Sequence, residues 1–513
     1  MKRFLTLSLS AALLLLCSVS CSNKQENYEP PVIEKLEDLR GHTVAVPSGS
    51  RQELALTDLG GITLVRVQVS DIILTVKSGM AELGIMQTGT ARAARLQNHG
   101  LTIYKDGFFP GEACVGIAKS NQALCDRFNQ FLREFKASGE YDRLIEAWES
   151  NCDSMAVIAP IECPPVEGPD PLIVGITVGI SPYLLLKNGQ YTGMEIDIFN
   201  HFSQATGTPV SYIECEFSAL ISSVSTGKID AIVSHMAKSE ERAKKILFTD
   251  PVVVGLCAVI GRIPGAASEV QKPGLWQRIM ESIQLNLIKE GRWKLLTDGL
   301  AVTILISILS ILAGTLVGIL LCLLRMRSRG RMEKVMGYII DLIRGIPILI
   351  ILMIMFYVIF GSVSISGVAI AIFSFGLYYG AYFAEIFRSG MMSVGRGQWE
   401  AGAALGLSRI QTFRLIALPQ ALKMILPVYK GDVVTLIKGT SIVGYVAIKD
   451  LTKGGDTIRA LTMDPFFPLI IITIAYFILS GLAEWGLDAL YARLTRTNAG
   501  SDIIKKTPNH DNS

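Results

Sequence analysis

The residue types that could carry chemistry are sparse in this sequence, and their spacing first says what the chain does not do. No stretch reads G-x-x-x-x-G-K-[ST], and Gly227-Lys228 is followed by Ile229, so the phosphate cradle and magnesium-binding hydroxyl of a nucleotide loop are missing. No two cysteines have the C-x-x-C spacing of a zinc site. Catalytic residues, a metal and a bound cofactor are therefore not expected. What remains is charge in apolar surroundings. Asp432 and Lys438 lie within or beside a long apolar run, where an ionisable group points by default to a pathway or a partner, although Lys438 can equally snorkel to an interface. Asp341 with Arg344, and Glu385 with Arg388, stand three apart and fit ion pairs along a helix boundary.

The elements that position these groups read as a membrane domain. The 513 residues have a net charge of +3 and a mean hydropathy of +0.41, too long for one ordinary domain and too apolar for a soluble chain. No basic stripe interleaved with aromatics suggests nucleic acid. Apolar runs predict five spans at about Leu300 to Leu324, Val335 to Phe360, Gly367 to Phe387, Lys423 to Ile448 and Phe466 to Leu487, with Trp293 at an interface. Arg325, Arg327, Arg329, Arg331 and Lys334 follow the first span, and Arg388, Arg396, Arg409 and Arg414 follow the third. The positive-inside rule assigns both loops, and a tail with Lys505 and Lys506, to the cytoplasm.

Between the third and fourth spans runs EAGAALGLSRIQTFRLIALP, Glu400 to Pro419, with Pro427 beyond. Ala401, Ala403 and Ala404 favour helix, Gly406 permits a turn, and Ser408 with Gln411 can open a second helix. Pro419 is expected to end or bend it.

The first half has another character. Lys2 and Arg3 precede an apolar run from Phe4 to Leu16, small residues near Cys21 and a polar stretch, the layout of a secretory signal. Ser18-Val19-Ser20-Cys21 resembles a lipoprotein cleavage box with Ser18 where Leu is usual, so Cys21 is a candidate for lipidation. Exported cysteines Cys114, Cys125, Cys152, Cys163, Cys215 and Cys257 could pair or remain buried thiols. From about Glu34 to Arg262 short β-branched runs alternate with helical patterns, as in an α/β domain. Leu74 to Met86 and Ile221 to Val233 echo each other as helix end, turn and buried strand, which predicts two lobes of similar build.

Particular motifs then carry a family likeness. The Glu400 loop resembles the coupling loop of ABC importer membrane subunits, which implies docking on a cytoplasmic ATPase through Glu400, Ala401, Ala404, Gly406 and Pro419. RGIPILI, with Arg344, Gly345 and Pro347, and LIKGTSIVGYVAI, with Lys438, Thr440 and Ser441, resemble blocks of polar amino acid permeases, with Gly439 where a polar residue is more usual. IVGITVGISPYLLLKNGQYTGMEIDIFNHF and SEERAKKILFTDP resemble lobe one of the bilobed solute-binding proteins of such importers. LEDLRGHTVAVPSGSRQE and Cys114 to Glu149 resemble lobe two and the closing helices, yet come first. A circular permutant is implied, its old ends joined through Ser150 to Asp170.

The binding-protein resemblance implies that Arg242 forks onto a ligand carboxylate, with Ser239 beside it, Tyr183 packed on the ligand, and Gly49 and Ser50 offering amides at a helix start. Gln87 stands where an Asp for the ligand's ammonium is usual. His235, Ala237 and Arg51 also depart from the family's small or hydroxylated residues. An amino acid is the first expectation for the ligand, and a carboxylate lacking an ammonium group the second.

The expected fold class is a bilobed α/β domain of periplasmic-binding-protein type followed by an all-α membrane domain. The segments are 1–21 signal, 22–34 linker, 35–150 lobe two with the closing segment, 151–170 linker, 171–263 lobe one, 264–290 linker, 291–490 permease and 491–513 tail. The implied function is a receptor-permease subunit of an ABC importer in a bacterial plasma membrane, a homodimer whose ATP is hydrolysed by a separate ATPase subunit. The alternatives are a ligand-gated channel or sensor, and a permease with a non-binding scaffold domain.

Overall fold

A computed structural model describes residues 31–496 apart from 49, 98–99, 151–162, 264–274, 329, 362, 364, 463 and 465. The candidate signal, Cys21, Gly49 and Cys152 lie outside the described residues.

In chain order the first lobe met is lobe two: β1 (Thr43–Pro47), α1 (Arg51–Leu59), β2 (Thr63–Val67), α2 (Ile72–Lys77), β3 (Leu83–Gln87) and α3 (Thr88–Gln97). The 18-residue β4 (Leu101–Ala118) then crosses to lobe one, which α4 (Gln122–Ala137) and α5 (Glu140–Ser150) cover. Lobe one proper follows as β5 (Leu172–Ile176), the hairpin β6 (Leu185–Lys187) and β7 (Gln190–Thr192), α6 (Met194–Thr206), β8 (Val210–Glu214), α7 (Leu220–Ser225), β9 (Ala231–Ala237), α8 (Glu240–Ala243) and β10 (Ile246–Phe248). Strand β11 (Val253–Arg262) crosses back.

One sheet serves both lobes in the order β2-β1-β3-β11-β4-β9-β5-β8, with β10 beside β4. Each lobe has parallel strands closed by an antiparallel partner, β3 on β11 and β9 on β4. The register of β4 on β11 slips near Cys257, and Gly107 and Phe109 have φ of 80° and 49°. Such irregularities bend and twist paired strands, which suits the only two strands that join the lobes among the described residues. The echo seen in the sequence is structural: α2 leads into β3 through Gly79 (φ 78°), and α7 into β9 through Gly227 (φ 74°). Cys114, Cys125, Cys163, Cys215 and Cys257 are free thiols. Burial pushes the Cys114 and Cys257 thiols up to about 11, which suits packing rather than reactivity.

The helical domain begins with α9 (Leu275–Ile283) and α10 (Trp293–Arg327), then α11 (Arg331–Gly345), α12 (Ile348–Met353), α13 (Gly367–Met392), α14 (Arg396–Ala404), α15 (Arg409–Thr412), α16 (Leu418–Gly439), α17 (Leu451–Thr462) and α18 (Phe467–Arg496). Helices α10 and α13 pack through glycines: a Cβ on Gly380 would fall 2.6 Å from Val317, and one on Gly318 2.7 Å from Phe383. Small residues that admit close backbones drive such pairs in lipid.

Three helices, α10, α13 and α18, are long and apolar enough to cross a membrane, and five spans result if two bent pairs count as one each. The span expected from Val335 to Phe360 is bent: the chain turns by 97° between Gly345 and Ile348. Pro347 has no N–H to donate and disfavours helical backbone at Ile346, whose ψ is 133°. Pro419 does not end the helix but follows a change in its pattern: the backbone stays helical from Arg409 through a π-helical stretch, Phe413–Ala417, into α16, whose second residue is Pro419.

Candidate functional site

A cavity of about 80 Å³ lies between the lobes, lined by Ser50, Arg51, Gln52 and Gln87 from lobe two, by Phe217, His235, Ala237 and Arg242 from lobe one, and by Glu112 and Cys257 from the crossing strands. Arg242 is held in place from two sides. Its Nη1 donates to the Ala237 carbonyl at 2.9 Å and its guanidinium lies 5.6 Å over the Phe217 ring. Burial pushes its pKa down, and a guanidinium stays charged regardless. Ser239 caps α8, its Oγ accepting from the Arg242 N–H at 3.3 Å, and so fixes the backbone that aims Arg242. Ser50 caps α1 in the same way, accepting from the Glu53 N–H at 3.2 Å, with Arg51 next to it at the cavity.

Gln87 faces the cavity and its Oε1 accepts from the Cys257 thiol at 3.7 Å, while Gln52 Nε2 donates to the same sulfur at 2.8 Å. Tyr183 does not line the cavity. It belongs to the lobe-one core, its ring centroid 4.1 Å from that of His235, so it supports the wall rather than the ligand. His235 forms that wall with φ 48°, held by Glu195, which accepts from the His235 backbone N–H at 2.8 Å and meets Nδ1 at 2.5 Å. Opposite it, a Cβ on Gly255 would come within 2.3 Å of His235 Nε2. The Glu195 and His235 partnership spans 40 residues of sequence, and nothing in local spacing announces it.

The membrane residues singled out by sequence do not join this cleft. The Arg344 guanidinium lies 4.9 Å over Tyr382 and 3.7 Å from Asp341, with Gly345 and Pro347 exposed at the bend. Thr440 is buried, its Oγ1 donating to the Ile437 carbonyl at 2.7 Å, whereas Ser441 is half-buried and Lys438 exposed. Glu385 pairs with Arg388 as expected and also with Arg325 at 2.6 Å.

The Glu400 loop folds as its sequence predicts. Helix α14 ends, Gly406 turns with φ 74°, and Ser408 opens α15 in a reciprocal cap with Gln411. Gly402 lets the two helices touch, since a Cβ there would lie 2.5 Å from Thr412. Glu400, Ala401, Ala404 and Gly406 are exposed, and so are Leu405 (76%) and Ile410 (70%). At the opposite end of α16, helix α17 meets the binding domain. Lys453 Nζ lies 2.8 Å from Glu216 and 3.3 Å from Glu214, and Arg459 lies 3.0 Å from Asp71. Asp450 starts α17, accepting from the Lys453 N–H at 2.9 Å. Sequence reading missed this contact, although Asp450 ahead of a helical stretch is an N-cap signal.

Comparison with known proteins identifies both parts of the chain. Residues 311–496 match the family described as binding-protein-dependent transport system inner membrane component, and residues 172–293 match bacterial extracellular solute-binding proteins, family 3. A Bacillus subtilis protein named as an amino-acid ABC transporter permease is 34% identical over 186 residues, 36% of this chain and 82% of that protein. The chain belongs to the binding-protein-dependent transport system inner membrane components. An L-cystine transport system permease of Bacillus subtilis is 30% identical over 217 residues, covering 42% of this chain and 93% of that one. A crystal structure of an amino acid ABC transporter with histidines is 30% identical, covers 39% of this chain and 94% of that chain, and superposes with a TM-score of 0.36. This permease is thus a multi-pass transport subunit fused to a solute-binding domain, not an enzyme, and ATP hydrolysis belongs to a separate subunit.

Proposed function

We propose that the chain imports an amino acid, using its own binding domain as receptor on the extracytoplasmic side and a pair of its own copies as translocation path. The observation that carries this reading is the placement of two surfaces in one chain. A ligand cleft is seated on one end of the bundle, and an exposed helix-turn-helix stands at the other. In this reading solute draws the lobes together over Arg242, the seated domain favours an outward-open path, and ATPase closure is transmitted through Glu400, Ala401, Ala404 and Gly406. Arg344, Gly345, Pro347, Lys438, Thr440 and Ser441 belong to the path and its gates. No cofactor is bound by the chain itself, and Cys21 carries a lipid if the signal is cleaved there.

The domain is read as a circular permutant. Lobe two precedes lobe one, and the segment through residues 151–170 replaces the former ends. Termini that lie close together at a surface make such rearrangement tolerable.

The cleft chemistry suits a carboxylate, since Arg51 and Arg242 both line it. Gln87 is neutral where a carboxylate for an ammonium is usual, which leaves Glu112, exposed at the rim, as the acidic lining residue. The test is equilibrium binding of radiolabelled solutes to the full-length chain in lipid nanodiscs, comparing L-glutamine and L-cystine with succinate. Saturable binding of one amino acid, reduced at least tenfold by Arg242→Ala, supports the reading. Binding of succinate alone moves the cargo to carboxylates without an ammonium group, and binding of none leaves the domain a scaffold.

A further inference from the structure

The two lobes meet the bundle unequally. Lobe one is bound at several points. Glu214 and Glu216 enclose Lys453, with Glu214 also accepting from Thr457 Oγ1 at 2.8 Å. Lys449 Nζ donates to the Tyr191 hydroxyl at 2.7 Å, and Lys228 Nζ donates to the Phe360 and Val363 carbonyls at 2.5 and 3.0 Å. Gly179 approaches α17 so closely that a Cβ there would sit 3.0 Å from the Ala460 Cβ. Lobe two meets the bundle through Asp71 on Arg459, which keeps a second partner in Asp456 at 3.1 Å, and through Lys77 near Asp464 just beyond α17.

Burial separates the two contacts further. Lys453 and Glu214 side chains are 8% and 5% exposed, against 12% and 26% for Arg459 and Asp71. Parting Lys453 from its carboxylates strands buried charge, which is costly. Parting Asp71 from Arg459 wets a partly exposed carboxylate and leaves the guanidinium paired, which costs little.

Covalent connection runs the other way. Both ends of the folded domain lie in lobe two: Ile33 packs in the cluster with Leu39, Val44 and Val259, and Arg262 pairs with Leu101 at the far end of β11. The chain then returns to described structure at Leu275. Lobe two is therefore tethered but loosely docked, and lobe one is untethered but firmly docked. A cavity of about 260 Å³, bounded by both lobes and by Lys453, Asp456 and Ala460, shares Pro47, Val69 and Phe217 with the ligand cleft, so lobe motion alters both spaces at once.

We infer that lobe one is a fixed anchor that keeps the receptor seated on its own permease whether or not the cleft is closed, and that lobe two is the moving jaw, whose arrival over α17 is registered by the Asp71 and Arg459 pair. The tether holds the domain at high effective concentration, so seating needs no ligand. This inference rests on the receptor-permease reading.

Cysteine cross-linking of the full-length chain in membrane vesicles, with an oxidant and no added solute, tests it. The pairs are Glu216→Cys with Lys453→Cys and Asp71→Cys with Arg459→Cys, against the unsubstituted chain, whose described thiols in the binding domain are largely buried. Gly179→Cys with Ala460→Cys reports on lobe one with the ionic cluster intact. The lobe-one pairs are expected to cross-link nearly completely, and the lobe-two pair at least threefold more slowly. Equal rates would make α17 a rigid bracket, a faster lobe-two pair would reverse the roles, and failure of both lobe-one pairs would mean the domain is not seated; each overturns the inference. ATP-driven uptake by the unsubstituted chain is read separately. Uptake without lobe-one cross-linking rejects the anchor and keeps the importer, while cross-linking without uptake does the opposite.

Discussion

The permease bundle carries a contact surface at each end, separated by α16, a helix of 22 residues or about 33 Å, and the two are finished differently. At the α17 end the charges are buried and answered: Lys453 by Glu214 and Glu216, Arg459 by Asp71 and Asp456. At the α14 and α15 end the polar groups are answered within the loop itself, by the Ser408 and Gln411 cap, while Leu405 and Ile410 stand in solvent. The first surface has its partner in the same chain and is complete. The second presents Leu405 and Ile410 beside the exposed Glu400 and Arg409, and in the proposed function it is the surface that meets a separate subunit. A fused receptor allows buried ion pairs to be matched once and kept, whereas a dissociable ATPase is better served by apolar anchors on a rigid turn.

The sharpest way to break this comparison is to remove the cation from the completed surface. Lys453→Met strands two carboxylates, and truncating one side of a buried pair costs about 3–5 kcal/mol. The thermal unfolding midpoint of the detergent-solubilised chain should fall, and adding Glu214→Gln with Glu216→Gln should restore most of the loss. No fall would mean that the pairing is not formed. At the open surface, Leu405→Glu should leave that midpoint unchanged and weaken association with the ATPase by about 2 kcal/mol or more, the scale of an interface anchor, measured by co-purification and by dissociation rate. A lowered midpoint with normal association would show that Leu405 serves folding instead.

A smaller effect separates buried charge with a cation from buried charge without one. Asp197, on α6, is buried and accepts from the Trp148 indole N–H at 2.8 Å. Burial lifts its carboxyl from 3.8 to about 6 against the opposing pull of that bond. Because the folded pKa is raised, the folded state holds the proton more tightly. The contribution to stability is full below the unfolded value, falls as pH rises through about 6 and stays at its lowest above. The stability of the native chain relative to Asp197→Asn should therefore decline by roughly 2–3 kcal/mol from pH 4 to pH 7. A flat difference or a rise would contradict this. The smallest effect belongs to Asp71→Asn, which leaves Arg459 paired with Asp456 and should cost under about 1 kcal/mol of stability while weakening the lobe-two contact. A loss as large as that of Lys453→Met would erase the asymmetry between the lobes.

Much of this architecture is legible in sequence because it depends on local spacing. The paired helix-turn-strand units around Gly79 and Gly227, the Ser408 and Gln411 cap and the long apolar helices all follow from residues a few positions apart. Pro347 marks the bend, but hydropathy is blind to direction and shows only one apolar span. Motif order points Tyr183 to the ligand, yet its ring packs on His235, which Glu195 fixes from the α6 side. The α17 contact was out of reach: Thr457 meets Glu214 across 243 positions of sequence, and no local pattern joins charges that distant.

In the proposed function, receptor and permease work within one chain. The most direct test is uptake of radiolabelled amino acid into proteoliposomes holding this chain and its ATPase, with ATP supplied at the ATPase face and no soluble binding protein added. ATP-dependent accumulation that Arg242→Ala and Leu405→Glu each abolish is the expected result. Accumulation that requires an added soluble receptor and ignores Arg242→Ala, or flux that persists without ATP, would contradict it.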